Sequence, residues 1–498
     1  MATDPLPEDP SLEQLRKQAK DLRDQARAGA SEALGLVGTH HPDGPHPPSL
    51  AGAQLVVARR HGFSSWATLK RHVETIQRYR RVPDQVGTAG SPADQFPLLA
   101  CLRYGHDDNP ARWHRAAELL AAHPELTNAS VHAAAAAADT DALAALLAAD
   151  PTLAATEGGP FGWEPILYLA YARHHPDIGA DAIVRAARVL LDHGADPNAG
   201  YLWHGLPSPF TALTGALGGG DGGQPAHPQA DALARTLLAA GADPNDAQAL
   251  YNRQSDPADH HLVLLLDHGL GHGDGGPWRA RLGSAIPSPA ELIADQLWWA
   301  ITHDLTGRVR LLAEHGADPR APFRFPDDRP VYLRAWHGTT PARLAAVCGS
   351  TQVLAYLAAH GASSPPAEGA DGLVAAALAG NHATVDRLRE NAAGARRQRP
   401  GLIVWAAARR AWHAVPLLVE LGFDVNALGR ADVPLEQEWQ TALHQAAAAD
   451  DLPGVRLLVG LGADPNIRDA RFGDTPLGWA EHLHHADVAE FLRPLTVV

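Results

Sequence analysis

Short apolar runs rich in Ala and Leu recur along the chain at helical spacing, separated by Gly, Asp, Pro and Asn. The run opened by Thr441-Ala-Leu-His444 is followed, 21 residues after Thr441, by Gly462-Ala-Asp-Pro-Asn466. The same interval of 21 separates Thr340 from Gly361, Gly401 from Gly422 and Asp295 from Gly316. Each interval holds two short apolar helices, the second carrying Val-Arg-Leu-Leu at 309–312 and 455–458. Thr before Pro starts a helix well, because its hydroxyl caps free N–H groups and Pro suits the first turn. Gly at the far end permits a left-handed stop, and Asp-Pro-Asn turns the chain into the next unit. The pattern predicts an all-α solenoid of about ten or eleven helix–turn–helix units over residues 93–498.

The first 80 residues follow another pattern. Ser11-Leu-Glu-Gln14 is a capping-box start for a helix reaching Ala28, and Leu50–His61 and Ser65–Arg80 read as two more, with a Pro- and His-rich linker between. The expected division is a disordered tail at 1–10, a helical cap at 11–81 shielding the first unit's apolar face, a linker at 82–92 and repeats at 93–498.

The repeated marks, best kept in Thr441–Asn466, Thr475-Pro-Leu477 and Thr340–Ala346, resemble the ankyrin repeat, with its Thr-Pro-Leu-His-x-Ala-Ala and later Gly-Ala-Asp-x-Asn. Asp192–Asn198 and Gly241–Asn245 add further second halves. Residues 11–20 and 53–66 resemble the leader of one group of bacterial ankyrin-repeat proteins. The resemblance implies a cytoplasmic protein that binds through a concave groove, and it implies no particular activity. It also implies that His193, His268, His315 and His360, each before a terminal Gly, and His444 hydrogen-bond backbone across repeats.

The period breaks at equivalent places. About 12 residues should separate the Gly of one unit from the Thr of the next when the period is near 33. Here Gly194 to Thr211 is 17, Gly269 to Asp295 is 26, Gly316 to Thr340 is 24 and Gly422 to Thr441 is 19. The expected finger insertions therefore lie near 199–210, 270–294, 320–339 and 427–440. They concentrate residue types that dominate binding hot spots. Tyr201, Trp203 and His204 stand in the first and Trp278 and Arg279 in the second. The third carries Phe323, Arg324, Phe325, Asp327, Asp328, Arg329, Tyr332, Arg334, Trp336 and His337, the fourth Trp439, and Trp298 opens a neighbouring helix. Two readings stay open: the rings pack long loops onto the helices beneath, or they line a pocket over the groove near the third finger. Longer intervals of 30 from Glu164 to Gly194 and from Thr211 to Gly241 place further insertions at 172–181 and 218–228. Those read as surface loops, and His106-Asp107-Asp108 as a solvated turn.

Charge and chemistry narrow the function. Residues 1–81 hold 12 Lys/Arg against 9 Asp/Glu, and the remainder 29 against 47, so the body is acidic within a net charge of −15. That disfavours nucleic acid and anionic membrane as partners, and no apolar run is long enough to span a bilayer. Two cysteines exclude a disulfide framework, and none of the local His clusters has metal-site spacing, so neither metal nor cofactor is expected. The leading expectation is a module binding a protein partner or small molecule in its groove. The alternative is a cofactor-independent isomerase, lyase, hydrolase or cyclase. It would use His337 and His204 as acid–base groups, Asp327 or Asp328 as their partner and Arg334 to hold an anion.

Overall fold

The computed structural model describes residues 4–497 apart from 5, 8, 89, 327–328 and 363–367, and it is mostly helical. The chain forms two compact units, residues 1–292 and 293–498. No helix among the described residues is long and apolar enough to cross a membrane.

The first unit begins with four helices, α1 (Leu12–Arg27), α2 (Ser31–His40), α3 (Leu50–Arg60) and α4 (Trp66–Tyr79). Ser11, Ser49 and Ser65 cap α1, α3 and α4 by accepting the N–H of Gln14, Gly52 and Thr68. Leu15, Leu22, Val56, Leu69 and Val73 share one small core. Helix α2 stands where the sequence reads as linker. It lacks a side-chain cap, but it buries Ala33 and Val37 in that core, and packing outweighs its weak local signal. In the expected tail, Asp4 donates its N–H to Arg60 O at 2.9 Å and Leu6 lies against the core; residues 1–3, 5 and 8 fall outside the described ones.

After α4 the chain runs into a short strand, β1 (Arg80–Arg81). It pairs in parallel with β2 (Gly200–Trp203), which pairs antiparallel with β3 (Pro209–Thr211). Ile76 and Tyr79 pack with Leu202, Trp278 and Leu282. The leading helices thus engage segments 200–203 and 276–286 through a shared strand pairing and a shared apolar cluster.

Helix pairs follow. In the first unit the helices Val131–Ala136, Pro165–Tyr171, Ala212–Leu217 and Ala247–Arg253 pack in succession. Their partners Thr140–Ala149, Ala180–Asp192 and Ala230–Ala239 stack likewise. Small residues allow the approach: a Cβ on Gly215 would come within 2.3 Å of the Tyr171 ring. The second unit repeats the theme, with Leu402–Ala408, Ala442–Ala448 and Pro476–His482 packed in order.

The terminal glycines behave as their position demands. Gly194, Gly241, Gly269, Gly316, Gly361, Gly422 and Gly462 all have φ between +79° and +100°. After each, the next N–H returns to a leucine carbonyl, as Ala195 does to Leu190 O and Ala463 to Leu458 O, both at 3.0 Å. The turns beyond them are stitched by asparagine. Asn198 donates to Gly241 O and accepts from Asp243 N–H, Asn245 does the same with His272 and Gly271, and Asn426 with Gly462 and Asp464.

Three expectations from sequence are corrected. The imidazoles of His193, His268 and His360 donate to the carbonyl four residues back in their own helix, at 2.7–2.8 Å, and so close that helix rather than bridging repeats, and His315 donates to Leu311 O at 2.9 Å. His444 does bridge, accepting from Thr441 N–H and donating to Asp474 O. Asp108 is not part of a solvated turn, although the half-exposed Asp107 before it, ion-paired with Arg103, does lie in a turn. Asp108 is ion-paired with Arg112, both side chains about 97% buried or more, and Arg112 also donates to Leu98 O and Cys101 O. Nor are 172–181 and 218–228 idle loops, because buried Arg173 donates to Gly215 O and Pro225 O and binds the two together. Backbone carbonyls satisfy this guanidinium, and burial still pulls its pKa down to about 10.

Candidate binding site

In the first unit the singled-out residues serve packing. Tyr201 is buried between Trp163 and Phe210, with ring centroids at 4.8 and 5.6 Å. Trp203 lies half-buried against His204. His204 sits at φ +53°, donates its N–H to Arg81 O and places Nε2 2.8 Å from Asp84. Trp278 donates to Asn198 O, meets Tyr79 edge-on and carries the Arg281 guanidinium over its face. Arg279 donates to Ile286 O.

The second unit divides its candidates between core and surface. Phe323 and Phe325 are buried and stacked at 5.3 Å, Trp298 is buried beneath Tyr332 at 5.5 Å, and Arg329 is ion-paired with Asp295. Arg324, Arg334 and His337 are exposed, and His337 donates to Phe325 O at 3.0 Å. Asp327 and Asp328 lie outside the described residues. The proposed acid–base groups are thus split: His204 belongs to the first unit and is held by Asp84, while His337 belongs to the second and is held by a carbonyl.

Trp336 is different, because it walls a cavity of about 280 Å³ wholly within the second unit. Ala335 and Thr339 line it beside Trp336, together with Arg430, Val433–Glu436, and Leu402 and Trp405 of the helix Leu402–Ala408. The position of 430–436 follows from a close backbone crossing. Gly401 and Gly429 meet so tightly that a Cβ on Gly401 would lie 2.7 Å from the Gly429 Cα. Gly429 and Gln440 exchange both N–H···O bonds and close the base of the segment. Trp405 donates to Cys348 O at 3.0 Å, which fixes its ring.

Guanidinium groups surround this apolar floor. Arg343 and Arg399 share one carboxylate, Asp371, at 2.8 and 3.1 Å. Arg430 pairs with Asp432 and lies 4.5 Å over Trp439, whose ring also receives Arg471 at 4.8 Å. Arg409 stacks 4.4 Å over Trp405, and no carboxylate of the described residues lies within ion-pair distance of it. Burial lowers its pKa, with Asp304 acting only from farther away. Glu436 is an exposed residue whose carboxylate end is sunk into the wall, accepting from Gly401 N–H at 3.0 Å, and desolvation raises its pKa. Sequence reasoning reached Trp336, Arg329 and Trp439 but passed over Arg343, Arg399, Trp405 and Arg409. The one local signal was Trp405 and Arg409 at i and i+4 of an Ala-rich helix.

Cys101 and Cys348 are buried thiols pushed up to about 12, and among the described residues no group of three His, Cys, Asp or Glu is placed to hold a metal ion.

The cavity falls largely in the part of the chain that matches known proteins. The pattern of ankyrin repeats matches residues 373–469 in three copies. Protein PhlB of Serratia liquefaciens is 37% identical over 98 residues, which is 20% of this chain and 38% of PhlB. The chain therefore spans well under half the length of that relative. Residues 373–469 are thus ankyrin repeats.

Proposed function

We propose that this protein is a binding module whose ankyrin-type stack extends over most of residues 93–498 and presents a groove edged by finger-like insertions. Ankyrin repeats serve protein–protein contact, because stacked helix pairs expose a long concave face while their cores stay closed. One observation carries the site: the cavity of about 280 Å³ between residues 335–339 and 430–436, with Trp336, Leu402 and Trp405 inside and arginines around it. A buried aromatic floor within a charged rim is the arrangement of an interface hot spot. The aromatic residues at 201, 203 and 278 support the scaffold instead: Tyr201 packs on Trp163, Trp203 lies against His204, and Trp278 meets Tyr79 of the leading helices.

Photo-crosslinking in the producing cells tests this reading. A photoreactive amino acid placed at exposed Val331 or Phe472 is expected to trap a discrete protein, and one placed at Thr75 is not. Equal trapping from all three positions, or none from Val331 and Phe472, overturns it.

A further inference from the structure

We infer that the partner presents an acidic segment, one large apolar side chain of which fills the cavity while flanking carboxylates engage Arg343, Arg399 and Arg409. This rests on the binding reading above and specifies its chemistry.

Three observations support it. The first is volume: about 280 Å³ holds one or two side chains, not a folded element. The second is local charge. The chain carries a net −15, yet three guanidiniums line the cavity, those of Arg343, Arg399 and Arg430, against the carboxylates of Asp371 and Asp432, and Arg409 stacks on the ring of Trp405. Glu436 is tied to the wall by accepting the Gly401 N–H at 3.0 Å. The third is Arg409 itself. Its Nε is buried without an acceptor, and it lies on the Trp405 ring whose helix floors the cavity. An unpaired cation withdrawn from water is costly, and a carboxylate arriving from a ligand relieves that cost. The aromatic face beneath holds the guanidinium plane in place, so little side-chain freedom is lost on pairing.

A basic or neutral segment does not fit. It would leave Arg409 uncompensated and would set cations against Arg343 and Arg399. The acidic surplus elsewhere also repels an acidic ligand, which directs it to this face.

Panning a random linear peptide library displayed on phage against the full-length chain tests the inference. The recovered peptides should carry Asp or Glu on both sides of one Phe, Trp, Leu or Met. Their affinity should fall at least about tenfold with Arg409→Gln, and again with Arg343→Gln. Affinity should also decline steeply as salt is raised. Unchanged circular dichroism and melting temperature in both variants separate binding from folding. Basic or neutral peptides whose binding is sensitive to Arg409→Gln would overturn the acidic inference and leave the binding module standing. Acidic peptides insensitive to both variants would place the contact elsewhere and overturn it too. Recovery of no peptide also counts against it, and the crosslinking experiment then decides the broader reading independently.

Discussion

At the residue scale, the molecule spends polar groups on order in places where the sequence suggests solvent. Arg112 and Asp108 are nearly inaccessible, and desolvation works against the charge on both. Such a pair holds geometry more than it adds net energy, but removing one member strands the other. Asp108→Ala should therefore destabilise the first unit by about 3–5 kcal/mol in urea unfolding. A loss below about 1 kcal/mol would mean that water reaches the pair. Glu164 offers a pH readout. Burial, with Asp196 and Glu157 nearby, pushes its carboxyl up to about 7. The unfolded chain ionises this group near pH 4.3, so stability is lost progressively as pH rises from there to about 7 and levels off above. Glu164→Gln should melt higher than wild type above pH 7, with the difference vanishing near pH 4. An equal difference at both pH values would contradict the assignment.

At the element scale, the parts legible in sequence are those whose causes are local. The caps Ser11, Thr340, Thr441 and Thr475 each accept an N–H three residues on, and the terminal glycines each reverse a helix. Those features depend on a few consecutive residues, so spacing alone reveals them. Helix α2 was not legible because its stability comes from α1 and α3. The cavity was half legible: Trp336 and the 427–440 segment stood out by composition, but Arg343 and Trp405 on separate helices and Arg399 at the end of a third are brought together only by stacking. The Gly401–Gly429 crossing is the joint on which this depends. Gly401→Ala should cost about 1–3 kcal/mol from overpacking and should raise amide exchange at 429–440. Unaltered exchange there would show that the segment is held in some other way. Arg173→Met should likewise raise exchange at 218–228, since it removes the guanidinium bonds to Pro225 O and Gly215 O.

At the scale of the whole molecule, two compact units carry different uses of the same residue types. In the first, Tyr201, Trp203 and Trp278 are spent on cohesion, Trp278 against Tyr79 of the leading helices and Tyr201 and Trp203 among neighbouring rings. In the second, part of the aromatic and arginine content remains at a cavity within the ankyrin repeats and beside them. The account places binding there. Hydrogen–deuterium exchange on the full-length chain, with and without a saturating crosslinked or panned ligand, tests that claim most directly. Exchange is expected to slow at 335–347 and 398–436, with residues 12–79 unchanged. Slowed exchange confined to residues 12–79 or 199–211, with the cavity walls unaffected, would contradict it.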